Sequence, residues 1–224
     1  MTTPANTAGT ARTAGVLYLV IIVLGIASEV AIRAPLLTVG DTAATAANVR
    51  GAEGLFRLSL AADTVMACAD AALAVLLFLL LRSVNGTVAL MAMVFRLLQA
   101  AVIGANLLNQ QAVLLVLGGG AGLGEADALA TLFLTLHGYG YDLGLIFFGV
   151  NSLLTGYLLI RSGWLPVVIG WGIVAAGLVY LVGSYLRILA PDAYDAFVVA
   201  YFVTLVAELA FALWLLVRGL GPKR

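Results

Sequence analysis

The chain has 224 residues, 63% of them hydrophobic and only 10% charged. Soluble domains carry about 25% charged residues, so this composition excludes a soluble globular protein and indicates a polytopic membrane protein. Eleven basic and eleven acidic residues cancel, and no Lys/Arg block is present to neutralise phosphates, so nucleic acid is excluded as a partner. The single cysteine, Cys68, closes no internal disulfide and supplies no metal cluster. No cofactor or metal is expected.

The chain opens on a short polar tail, residues 1–13, with one basic residue, Arg12. The apolar run Val16 to Ala27 follows, and Glu29 and Arg33 come directly after it. A cleaved signal peptide has a shorter apolar core and a small-x-small cleavage site, so this run reads as an uncleaved first span. A helix needs about 20 mostly apolar residues to cross a hydrocarbon core of roughly 30 Å. Six segments qualify: 14–32, 58–81, 87–108, 135–160, 165–187 and 195–217. Together they predict an all-α bundle of six transmembrane helices occupying residues 14–218, followed by a basic tail at 219–224.

Turn-rich stretches separate the spans: "RAPLLTVGD", "RSVNG", "GGGAGLGEAD", "RSGWLP" and "LAPDAYD". Extra apolar pieces, Ala112–Leu117 and Ala128–Leu134, flank the third break. They are either helix extensions outside the bilayer or parts of a tilted pair. The glycine run at 118–124 follows no strand and has no adjacent lysine, so it reads as a flexible outer turn rather than a phosphate-binding loop.

Orientation follows from the residues flanking the spans. With the N-terminus inside, the inner segments hold Arg12, Arg82, Arg161, Arg218, Lys223 and Arg224 and no acid. The outer segments hold Asp41, Glu53, Glu125, Asp127, Asp192 and Asp195. Both termini are therefore expected in the cytoplasm. Tyr18, Trp164, Trp171, Tyr185 and Trp214 fall mostly near the expected interfaces, as anchors.

Buried charges carry most of the functional information. Asp63 and Asp70 are seven residues apart, which places them within about 20° of one helix face. Depth counted at about 1.5 Å per residue sorts the polar residues into two layers. Near the outer edge fall Glu29, Asp63, Asn106, Asn109, His137 and Asp142, with Arg33, Arg57 and Arg187. Near the midplane fall Asp70, Arg96, Asn151 and Glu208.

An ionised group at the bilayer centre costs about 2.5 to 3.5 kcal/mol on insertion scales, so each of these groups should face the bundle interior and find a partner. Glu29 and Arg33 have the favourable i, i+4 order. Asp70 and Arg96, at matched depth on consecutive antiparallel helices, are expected to pair. Glu208 is left with no cation of its own and is either protonated, hydrogen-bonded to a neighbour, or a second acid on Arg96. His137, the single histidine, sits in "LHGYGYDLG" and reads either as a hydrogen-bonded structural residue or as a site member with Glu29, Asp63 or Asp142. The expected ligand pocket comprises Glu29, Arg33, Arg57, Asp63, Asn106, His137, Asp142 and Arg187, above a midplane network of Asp70, Arg96 and Glu208.

Taken in order, "GDTAATAANV", "LFRLSLAADTVMACAD", "MVFRLLQAAVIGANLL", "LHGYGYDLGLIFFGVNSLLTGYLLIRSGWLP" and "GWGIVAAGLVYLV" resemble an uncharacterised family of bacterial six-span membrane proteins, domain of unknown function 4386. The likeness runs from about Ala14 to Leu216. It implies a six-helix integral membrane protein with a polar outer half and brings no activity, cofactor or catalytic residue.

Three functions stay open. The first is a binding or transport protein with an outward-facing polar pocket for a small molecule, lipid or ion. The second is an intramembrane enzyme, an acid-base or metal-assisted hydrolase of a lipid-like substrate that uses His137 and the outer carboxylates. The third is a structural or sensory membrane subunit. The lipid bilayer is the one partner expected in all three, and the sequence sets no oligomeric state.

Overall fold

The computed structural model describes residues 4–119 and 125–220. Residues 120–124 of the expected outer turn and residues 221–224, with Lys223 and Arg224, lie outside the described residues. The described chain is helical almost throughout. In order it forms α1 (Pro4–Ile26), a π-helical continuation (Ala27–Arg33), a 3-10 turn (Ala34–Leu36), α2 (Thr42–Gly51), α3 (Glu53–Leu81), α4 (Gly86–Leu117) and α5 (Ala126–Ser162). Then come α6 (Val167–Leu189), α7 (Pro191–Phe197), a second 3-10 turn (Val198–Ala200) and α8 (Tyr201–Val217).

Six helical segments among the described residues are long and apolar enough to cross a membrane: Ala8–Leu36, Glu53–Leu81, Gly86–Leu117, Ala126–Ser162, Val167–Leu189 and Pro191–Val217. An even number of crossings puts both ends of the chain at one end of the bundle, called here the termini end.

Local chemistry sets the breaks. Asn85 accepts the Val88 amide at 3.1 Å and caps α4; Asp41 accepts the Ala44 amide at 2.8 Å and caps α2. Gly163, at φ +65°, stops α5 in the left-handed conformation that favours glycine. Pro35 explains the π stretch: its ring lacks an N–H and would collide with the carbonyl one turn back in an α-helix, and widening the turns before it relieves the clash.

Several elements extend beyond the expected spans. The first span continues through Arg33 instead of ending at 32, α3 begins five residues early at Glu53, and α7 starts at Pro191. A proline is well placed in the first turn of a helix, so "LAPDAYD" initiates one where a break was expected. The short helix α2 occupies a stretch expected to be loop. The extra apolar pieces beside the glycine turn are continuous extensions of α4 and α5. At 1.5 Å per residue the 37-residue α5 is about 55 Å long, well beyond the roughly 30 Å of hydrocarbon. These extensions pack with α2 around a small core of Val49, Phe56, Val113, Leu114 and Ala130. The Arg50–Asp127 ion pair ties α2 to α5.

The helices form a ring in chain order. Each of α1, α3, α4, α5 and α6 packs on the next, α6 packs on α8, and α8 returns to α1. Large apolar residues such as Leu108, Val168 and Leu189 face outward, and polar residues point in. In lipid the hydrophobic effect does not hold helices together, so close packing of small residues and internal polar contacts must.

Between α5 and α6 that packing is glycine on glycine. A methyl at Gly149 would meet Leu181 at 2.7 Å and the Gly177 carbonyl at 3.0 Å, and one at Gly156 would meet Val174 at 2.6 Å and the Gly170 carbonyl at 2.9 Å. At the termini end α1 presses equally closely on α8: Gly15 lies against the Leu216 backbone, and Tyr18 meets Phe211 edge-on at 5.9 Å. Toward the far end this closure ends. There the π segment packs on α3.

Candidate functional site

The ring encloses a cavity of about 870 Å³, reaching from mid-bundle to the far end. Its walls are mostly apolar, with Ile22, Ile103, Leu145 and Leu205 among them, and polar groups collect at its floor and its far end. Ile26, Val30, Val198, Val199 and Phe202 both line the cavity and are exposed on the outside of the bundle, Val30 by 63%, Val199 by 80% and Phe202 by 68%. They mark a mouth between the π segment and the start of α8, where the first and last helices have parted.

At the far end the polar groups form a chain through the ring. The Arg33 guanidinium holds Glu29 of its own helix at 2.9 Å and donates across to Asp63 of α3. Gln110 of α4 donates its amide to the same Asp63 oxygen at 3.4 Å and to His137 Nε2 at 2.9 Å. Asn106, one turn before Gln110, donates to the His137 carbonyl at 2.8 Å and receives the Asn109 amide at 2.9 Å. Gly140 permits this, since any side chain there would occupy the space of the Asn106 carboxamide.

Both ring nitrogens of His137 are engaged: Nε2 lies 2.9 Å from the Gln110 amide nitrogen, and Nδ1 lies 3.1 Å from the Asn106 amide nitrogen and 3.5 Å from the Asn106 carbonyl oxygen. On the neighbouring wall Arg187 of α6 pairs with Asp142 of α5 at 2.7 Å and lies over the rings of Tyr139 and Tyr194.

At mid-bundle Arg96 Nε and Nη2 lie 2.7 and 2.6 Å from Asp70 Oδ1. The guanidinium also lies between the faces of Tyr18 and Phe148, at 5.0 and 4.9 Å, and reaches Asn151, whose amide is anchored on the Ala92 carbonyl. A buried arginine needs such saturation, because each unpaired donor carries its full desolvation penalty. Glu208 of α8, also in the cavity wall, accepts the Tyr180 hydroxyl at 2.7 Å.

Of the expected pocket residues, Glu29, Arg33, His137, Asp142 and Arg187 line the cavity, and Asp63 and Asn106 stand directly behind them. Arg57 is elsewhere: it pairs with Glu53 on an outer face and is 56% exposed. Depth alone placed it in the pocket, but six residues from Asp63 is about 240° around the helix, which points it away. Of the midplane set, Asp70 and Glu208 line the floor, with Arg96 behind Asp70. Sequence reasoning missed Gln110, which is completely buried and joins Asp63 to His137. Its signal was an uncharged amide inside an apolar run, i, i+4 from Asn106. The cavity residues Gln99, Tyr141, Tyr180 and Tyr201 were missed as well.

The sequence profile of the family described as Domain of unknown function (DUF4386) matches residues 13–219. The chain belongs to this family. This DUF4386 chain is a bundle of six candidate membrane-spanning helices among its described residues, with buried polar side chains gathered inside the ring. An uncharacterised protein of Archaeoglobus fulgidus is 29% identical over 150 residues, covering 67% of this chain and 76% of that protein. No solved structure matches the chain.

Proposed function

We propose that this DUF4386 protein binds a small molecule or lipid-like amphiphile in the cavity, as a binding or transport protein, with both termini in the cytoplasm and the far end outside. The observation that carries this reading is the apolar mouth between the π segment and the start of α8. A cavity of about 870 Å³ is of the size that takes a drug-sized ligand, and mostly apolar walls with a few convergent polar groups are what such sites present. The side opening gives an amphiphile a route from the bilayer that avoids the charged far end. The enzyme reading is weaker, because both ring nitrogens of His137 are engaged by Gln110 and Asn106, and acid-base chemistry or metal ligation would have to break one of these contacts.

Ala67 lines the cavity from α3, so Ala67→Trp places an indole in it and obstructs it. Native mass spectrometry of protein released from nanodiscs should show an adduct on the wild type that Ala67→Trp lacks. Identical adduct patterns on the two proteins would overturn the proposal.

A further inference from the structure

We propose that the occupant is a hydrophobic cation, neutralised by Glu208 and seated against the rings of Tyr180 and Tyr201. This deepens the binding reading above and rests on it. Four carboxylates line the cavity, those of Glu29, Asp70, Asp142 and Glu208, against two guanidiniums, those of Arg33 and Arg187. Both guanidiniums are committed, Arg33 to Glu29 and Asp63 and Arg187 to Asp142. Asp70 is answered from behind by Arg96.

Glu208 is different. It is only 8% exposed and lies in the cavity wall, and among the described residues no ion pair reaches it. A single hydroxyl, that of Tyr180, bonds to one of its two oxygens. A buried carboxylate without a counter-charge is a costly feature of a membrane bundle, and a cationic ligand removes that cost.

The surroundings favour the same ligand class. The Tyr180 and Tyr201 rings stand edge to face at 5.9 Å, both in the cavity wall, and Phe148 adjoins Tyr180 at 5.1 Å. Aromatic faces attract cations most strongly where water is excluded. An anion would meet the surplus of acids with no free guanidinium to receive it, and a neutral ligand would leave Glu208 unanswered. The apolar walls and the apolar mouth select a cation with a large hydrocarbon body, one that partitions into the bilayer before it enters.

The test uses two ions of one shape and opposite charge, tetraphenylphosphonium and tetraphenylborate, titrated onto the full chain in phosphatidylcholine nanodiscs, with empty nanodiscs subtracted. Tetraphenylphosphonium should bind saturably, and tetraphenylborate should not. Glu208→Gln keeps the shape and a hydrogen-bond acceptor for Tyr180; it should weaken tetraphenylphosphonium by about tenfold or more while leaving the unfolding temperature at or above that of the wild type. Unchanged affinity in that variant, equal or tighter binding of the borate to the wild type, or no binding of either ion would overturn the proposal. If neither ion binds but Ala67→Trp still removes a native adduct, the cavity is a binding site and only the assignment to cations falls. If Ala67→Trp removes no adduct, the binding reading falls with it.

Discussion

At the scale of single residues the bundle depends on a few buried charges, each held by at least one polar partner. Arg96 is the extreme case, with Asp70, Asn151 and two aromatic faces around one guanidinium. Breaking a buried pair by removing one member typically costs about 3 to 5 kcal/mol, whereas removing both avoids the stranded charge. Asp70→Asn and Arg96→Gln should therefore each lower the stability of the detergent-solubilised protein by about that amount, and the double variant should lose clearly less than their sum. Additive losses in denaturant unfolding would mean that the two side chains do not interact. This pair was legible from depth and charge alone, because two opposite charges at one level of neighbouring antiparallel helices have few other places to go. Arg57 shows the limit of the same reasoning. Depth is a count along the chain, whereas facing inward is an angle around the helix, and on α3 only the Asp63–Asp70 spacing supplied an angle.

At the scale of elements, two features decide the shape of the cavity. The π segment, Ala27–Arg33, turns the far part of the first span toward α3, where Arg33 meets Asp63, and so parts it from α8. Pro35 was visible in the sequence, but the register change it imposes upstream was not, since a proline is equally compatible with a helix end. The second feature is the glycine seam between α5 and α6, where Gly149 faces Gly177 and Gly156 faces Gly170. Each helix carries its pair at a seven-residue spacing, two full turns, so both glycines of each helix lie on one stripe. That pattern was also present in the sequence, as glycine pairs of equal spacing on consecutive helices. Gly149→Ala and Gly177→Ala should each destabilise the protein by about 1 to 3 kcal/mol, because the added methyl meets backbone atoms that cannot move aside. Gly104→Ala, in a helix where the methyl meets nothing, should be neutral or slightly stabilising. Thermal unfolding of the three variants checks this, and equal effects at all three positions would contradict close glycine packing.

At the scale of the whole molecule the chain forms a ring of six spanning segments, closed tightly at the termini end and parted at the far end. The number of spans was legible because the requirement for about 20 apolar residues is a strong physical constraint. The ring order and the lateral mouth were not, because they depend on which face each helix turns toward its neighbours, and outward-facing and wall-lining apolar residues look alike in sequence. Val199 and Phe202 belong to both sets. The expected pocket was polar, whereas the cavity has mostly apolar walls with polar groups at its floor and far end. The central claim is that the first and last spans stand apart around an accessible cavity. It is tested most directly by a cryo-electron microscopy map of the protein in lipid nanodiscs. The account predicts non-protein density entering between Val30 and Phe202 and reaching Tyr201 and Glu208. A map in which the π segment packs directly on α8, with no opening between them, would contradict it.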